Sequence, residues 1–157
     1  LVLIGAPIYS SRAPAAWSRP ILASPQMARV GPLLMRELGG AAGINLYGSQ
    51  WANQQNIDEE DIAAYRLTFS VDDWDRGLWQ VSRANRESPV AGNLDAIEVP
   101  ALVIAGAQDQ IVAPEDGQRL AGELPNADFA LMEECGHVPH EECPLMLVDA
   151  LLAWRAR

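Results

Sequence analysis

The sequence predicts an α/β fold: parallel strands with flanking helices, and a helix-rich insertion after the first strand. Three observations predict it. Short apolar runs rich in Val, Ile and Leu occupy residues 1–4, 99–105 and, more weakly, 128–132. Runs of this length suit strands of a parallel sheet covered on both faces. Helical signals follow the last two runs, which is the βαβ pattern of an α/β domain. No convincing strand occurs between about residues 8 and 93.

Residues 1–4 are apolar without alternation and read as a buried core strand. The middle then offers four helix-like pieces, at about 25–38, 42–53, 58–69 and 71–86. Asp58 with Asp61, and Ser70 with Asp73, have the spacing of a helix N-cap and its reciprocal partner. Gly39-Gly40-Ala41-Ala42-Gly43 reads as a helix stop, and is too weak a pattern for a phosphate loop. Four of the five tryptophans lie in this middle: Trp17, Trp51, Trp74 and Trp79. They could line an apolar substrate pocket, but small-core packing is the favoured reading for most of them.

The last third is more sharply patterned. Pro100 sits near the start of the 99–105 run, where a missing N–H is tolerated. Pro114 opens a helix to about residue 123, and Glu115 and Asp116 suit its N-terminal dipole. Residues 144–156 form a closing helix whose apolar face is read as Leu145, Val148 and Leu152, with Leu151 and Trp154 beside it.

Composition and charge narrow the function. The 157 residues are 49% hydrophobic and 20% charged, which is ordinary for a globular domain. A net charge of −10 argues against nucleic acid or an anionic membrane surface as partner, since both need clustered Lys and Arg. The longest apolar runs are far short of the ~20 residues of a spanning helix. Two cysteines, Cys135 and Cys143, are too few for a disulfide scaffold. One bridge between them is the lesser reading; they are read as reduced small hydrophobes, and the favoured compartment is the cytoplasm.

Chemistry concentrates after the second and third strands. The run 99–105 ends in Gly106-Ala107-Gln108-Asp109-Gln110-Ile111-Val112-Ala113-Pro114. The run 128–132 leads into Cys135-Gly136-His137-Val138-Pro139-His140-Glu141-Glu142-Cys143-Pro144. An acid and a histidine thus occupy corresponding loops at the carboxyl ends of two parallel strands, where open α/β sheets place functional groups. Adjacent strands lie ~5 Å apart, so the loops can bring the two side chains into hydrogen-bond reach. A carboxylate on one ring nitrogen fixes the imidazole tautomer and stabilises the imidazolium, and the other nitrogen exchanges a proton with a nucleophile. Acid before histidine is the chain order of one triad type, with the nucleophile first.

These motifs resemble the α/β-hydrolase family. Gly106, Asp109, Val112 and Pro114 match its acid loop. Gly136, His137, Pro139, Glu142 and Pro144 match its histidine loop. The lead-in Leu94–Pro100 is also similar, and residues 1–7 resemble the strand that follows the nucleophile helix. The middle resembles the family's helical cap only in position and composition.

The resemblance implies the C-terminal portion of an α/β-hydrolase fold: a core strand at 1–7, a cap at 8–93, and a core with both loops at 94–157. It implies that Asp109 and His137 are catalytic, as orienting acid and as general base and acid. No cofactor and no metal are implied. The substrate implied is a small apolar ester or a related compound. The family's nucleophile elbow, Gly-x-Ser-x-Gly, does not occur. Ser49, in Tyr47-Gly48-Ser49-Gln50-Trp51, lacks the second glycine and a preceding strand. The nucleophile is therefore expected upstream of Leu1, and the chain alone is expected to be inactive.

Other readings stand beside this one. An upstream aspartate nucleophile would give epoxide-hydrolase or dehalogenase chemistry with the same pair. A relative without catalysis would bind a ligand or partner instead. Asp109 could be only a turn residue. His140, with His137 and Glu141, lacks the His-Glu-x-x-His form of a metal site and reads as a residue packing or capping near the last helix. Cys135 reads as a buried small side chain, not as a thiol nucleophile. Glu142 matches a family position whose implied role is to hold the histidine loop; the plainer reading is a first-turn acid on a helix. The acidic groups at 58–61 and 72–75 read as helix N-termini and solvated faces.

Overall fold

A computed structural model describes residues 1–9, 15–84 and 89–156. In chain order its elements are β1 (Val2–Ile4), α1 (Arg19–Leu22), α2 (Pro25–Arg36), α3 (Ala41–Gly48), α4 (Glu59–Leu67), α5 (Trp74–Ala84), β2 (Ala101–Gly106), α6 (Pro114–Glu123), β3 (Ala127–Met132), α7 (Pro139–Glu142) and α8 (Pro144–Arg155). The chain divides into two compact units. One holds Leu1–Tyr9, Ser49–Asn56 and Ser88–Arg157; the other holds Ser10–Gly48 and Ile57–Glu87. The sequence-based division ran a single insertion from 8 to 93. The structure instead places residues 49–56, from the middle of that stretch, in the unit with the strands.

The strand-bearing unit is built on a three-stranded parallel sheet in the order β1-β2-β3. Val2 pairs with Leu102 and Ile4 with Ile104, while Ala101 pairs with Ala127 and Gly106 with Met132. All six residues of β2 are buried. Successive side chains on a strand point to opposite faces, so β2 feeds two cores. Ala101 and Val103 pack with Leu120 and Leu124 of the α6 side. Leu102 and Ile104 pack with Met132 and Leu147 of the α8 side. A strand buried on both faces needs no polar alternation, which is why 99–105 reads as a plain apolar run. Burying a side chain such as Ile104 stabilises the fold by about 1.5–3 kcal/mol.

Helix α8 corrects one expectation. Leu145, Val148 and Leu152 are exposed, whereas Leu147 is buried with Ala150, Leu151 and Trp154 against the sheet. The helix carries apolar residues around most of its circumference, so periodicity alone does not select the face that meets the sheet. Among the described residues no helix is long and apolar enough to cross a membrane.

The helical unit is assembled from α1 to α5. Asp58 caps α4, accepting from the amides of Glu60 and Asp61, while the Asp61 carboxylate accepts from the Asp58 amide, as the spacing predicts. The second predicted cap does not form. The Ser70 hydroxyl donates to the Leu67 carbonyl, and Asp73 takes a left-handed conformation with φ 57°, so α5 starts only at Trp74. Aspartate is among the few residues that reach this region at modest cost. The predicted end of that helix, at 85–86, lies outside the described residues. The third helix ends at Gly48, short of the predicted 53, because residues 49–56 join the other unit. Helices α2 and α5 approach closely at Gly31, where an added Cβ would collide with the Trp79 indole. An aromatic series, Tyr47, Tyr65, Phe69 and Trp74, runs with ring centroids 4.6–5.0 Å apart. Of the other tryptophans, Trp79 is buried and Trp17 is exposed.

Candidate active site

Strands β2 and β3 end side by side, and the two loops leaving them are stitched together by main-chain bonds. The Ala107 amide donates to the Met132 carbonyl at 2.8 Å, and the Gln108 amide to the Cys135 carbonyl at 3.0 Å. This close approach explains Gly106, since a Cβ there would collide with the carbonyls of Cys135 and Gly136. The glycine closing the second apolar run therefore marks two backbones in contact.

The loops bring the expected pair together. His137 Nδ1 lies 2.8 Å from Asp109 Oδ2. The other carboxylate oxygen, Oδ1, accepts from the amides of Ile111 at 2.7 Å and Val112 at 2.9 Å. The Asp109 side chain is 1% exposed, whereas that of His137 is 22% exposed. Burial pushes the Asp109 carboxyl up. The hydrogen bond from His137 and the two amides outweigh it, so its pKa lies below the ordinary carboxylate value. A carboxylate that stays ionised can accept only, so the bonded ring nitrogen carries a proton, and in the neutral ring Nε2 then offers its lone pair. Among the described residues Nε2 has no hydrogen-bond partner.

The ring is held from a third side by a residue that the sequence reading did not single out. Gly5 follows β1 directly, and its amide donates to the Ile104 carbonyl at 3.0 Å. Its φ is 52°, a left-handed value that favours glycine. A Cβ at this position would sit 3.1 Å from the His137 ring. The signal was present in the sequence as a glycine ending the first apolar run.

The other singled-out residues fall as follows. Glu142 Oε2 accepts from the Gly136 amide at 2.7 Å and the Ala52 amide at 3.0 Å, and Oε1 accepts from the Asn53 amide at 2.8 Å. It is thus a bonded loop residue, and its place in the first turn of a short helix is incidental. His140 is half-exposed, with Nε2 3.6 Å from Glu141 Oε1. Among the described residues no group of three or more His, Cys, Asp or Glu side chains is placed to hold a metal ion. Ser49 lies in the segment beside the histidine loop and follows no strand.

The cysteines correct the expectation of two reduced thiols. Cys135 and Cys143 form a disulfide across the histidine loop, with Cα atoms 6.2 Å apart, and Cys135 is fully buried. The loop folds back on itself between them, which brings the Cα atoms within bridging range. A separation of eight residues in sequence does not reveal that fold-back.

The model of the alpha/beta hydrolase family matches residues 2–150, nearly the whole chain. This chain belongs to the α/β-hydrolase family. The RutD protein of Pseudomonas syringae pv. syringae, provisionally assigned as a carbamate hydrolase, is 30% identical over 144 residues, spanning 88% of this chain and 55% of its own length. The uncharacterized hydrolase YugF of Bacillus subtilis is 32% identical over 93 residues, 59% of this chain and 34% of its own. A thermophilic esterase from Thermogutta terrifontis superposes with a TM-score of 0.69 at 20% identity, covering 99% of this chain and 55% of that one. That likeness shows the fold. This α/β-hydrolase chain therefore spans between a third and just over half the length of these two curated relatives.

Proposed function

We propose that this α/β-hydrolase chain carries the acid and the base of a hydrolase acting on small apolar ester-like substrates. His137 serves as general base and acid, Asp109 orients it, and the nucleophile comes from outside these 157 residues. The observation that carries the reading is the 2.8 Å bond between His137 Nδ1 and a buried Asp109 whose second oxygen is already held by two amides. The carboxylate fixes the tautomer, so Nε2 can take the nucleophile's proton and later deliver it to the leaving group. Asp109 stays ionised and stabilises the imidazolium formed in between. The acyl chemistry in the names of relatives, a carbamate hydrolase and an esterase, supports the ester-like substrate class.

The test is His137→Ala in the full-length enzyme, assayed on p-nitrophenyl esters of increasing acyl length. Turnover should fall by up to ~10⁶-fold with the fold retained by circular dichroism. Turnover near wild type would refute the role of His137. Activity rising toward long-chain esters, with none on short ones, would overturn the small-substrate assignment.

A further inference from the structure

Residues 49–56 connect α3 to α4 of the helical unit, yet they belong to the strand-bearing unit. This strap is held to the histidine loop by main-chain groups. The Glu142 carboxylate gathers the amides of Ala52 and Asn53 on the strap together with that of Gly136 on the loop. One bond runs directly between the backbones, from the His137 amide to the Gln50 carbonyl at 2.6 Å. The packing is tight enough to require glycine at 136, where a Cβ would collide with the Gln50 carbonyl oxygen and crowd the backbone of Trp51 and Ala52.

We propose that Glu142 is a positioning residue that sets the His137 imidazole by clamping the 49–56 strap onto the histidine loop. The inference rests on the reading of His137 as the base. Its physical ground is the donor count. Three N–H groups converge on one side chain, and only a carboxylate can accept from all of them. An amide at this position would turn its NH₂ toward at least one N–H, placing donor against donor. Release of the strap would remove the acceptor of the His137 amide and loosen the backbone that carries the imidazole. An error of about 1 Å in the position of a catalytic group can cost roughly a hundredfold in rate.

The experiment follows backbone amide exchange and the His137 Nδ1–H resonance by NMR in this chain, which contains only two histidines. Glu142→Gln should speed exchange at Ala52, Asn53, Gly136 and His137 by roughly tenfold or more, and should broaden or shift the Nδ1–H signal. In the full-length enzyme the same variant should lower kcat by about tenfold to a hundredfold with KM nearly unchanged. Glu142→Asp keeps the charge on a shorter arm and should give smaller changes in the same direction; it also serves if Glu142→Gln does not fold. Faster amide exchange with an unchanged Nδ1–H signal and unchanged kcat would reduce Glu142 to a purely structural role and overturn the proposal. The two readings fail differently. If His137 is not the base, His137→Ala leaves turnover intact although Glu142→Gln still frees the amides. If only the clamp is wrong, His137→Ala abolishes turnover while Glu142→Gln leaves the imidazole signal in place.

Discussion

The helical unit and the strand-bearing unit each bury an aspartate, and the two are satisfied in opposite ways. In the helical unit, Asp75 meets the Arg36 guanidinium at 2.7 Å. The Arg36 hydrogen bond and the Arg76 amide hold its carboxyl below the ordinary value against the burial that raises it. Its counter-charge is permanent, because arginine does not deprotonate. In the strand-bearing unit, Asp109 has two neutral amides and an imidazole. Its counter-charge appears only when His137 takes a proton. A carboxylate already neutralised by arginine has little attraction left for a transient cation. One held by neutral donors keeps that capacity, and this difference separates an aspartate neutralised for good from one able to stabilise a transient imidazolium.

The strongest challenge to this contrast is to neutralise each aspartate in a protein that supplies the proposed nucleophile. Asp109→Asn should lower kcat by about 10⁴-fold, because the amide no longer fixes the productive tautomer. Asp75→Asn should leave kcat close to wild type and affect only thermal stability. Comparable losses of kcat in the two variants would erase the distinction. The pH dependence of stability follows with a definite sign. The folded-state pKa of Asp109 is depressed, so its contribution is present above the unfolded value of ~3.9 and is lost as pH falls through the folded one. Chemical denaturation across the acid range should show that loss in the wild type and a flatter profile in Asp109→Asn.

A second pair of variants tests how each unit achieves its close contacts. Gly136→Ala drives a Cβ into the main chain of the strap, which has little room to yield; it should cost about 3 kcal/mol or more. Gly31→Ala meets the Trp79 side chain rather than main chain, and a rotamer change there should hold the cost to roughly 1–3 kcal/mol. Denaturant midpoints of the two variants decide the order, and a milder effect at Gly136 would contradict the tight strap. Between these falls the disulfide. Cys143→Ser opens an eight-residue loop and should destabilise by about 2.5 kcal/mol on the chain-entropy account, with the wild type reaching the same midpoint in reductant.

The smallest effect concerns Tyr9, at the end of the first segment of the strand-bearing unit. Burial and its hydrogen bond to Glu123, at 2.6 Å, push the phenol up to about 12. A raised pKa stabilises the protonated form, so this contribution holds below about pH 10 and fades as pH rises through 12. Tyr9→Phe should remove a late tyrosine titration seen by absorbance; an unchanged titration curve would exclude this partnership.

Legibility differs between the units for a physical reason. Strand β2 was readable because residues buried on both faces must be apolar; β1, expected to be buried, is exposed at Val2 and half-buried at Leu3 and Ile4. Pro114 and the Asp58 cap marked helix starts through local chemistry. The Ser70 cap does not form because Asp73 turns left-handed and the Ser70 hydroxyl bonds back to the Leu67 carbonyl, neither of which the spacing reveals. The face of α8 was misread because Leu145, Val148 and Leu152 satisfy helical periodicity as well as Leu147 and Leu151 do. At the site, Asp109 and His137 were legible as side-chain chemistry in matched loops. Gly5, Gln50 and the amides of Ala52 and Asn53 were not, because their contributions are made by the main chain and leave no mark in residue type beyond a glycine.

The strand pattern, the two loops and the acid–histidine pair could be read from residue order alone, since apolar runs and functional side chains are local properties. The tertiary structure decided the return of residues 49–56 to the strand-bearing unit, the Cys135–Cys143 bridge, the buried face of α8 and the clamp at Glu142. Each of these depends on which distant backbones come within hydrogen-bond or van der Waals distance, and no local pattern encodes that.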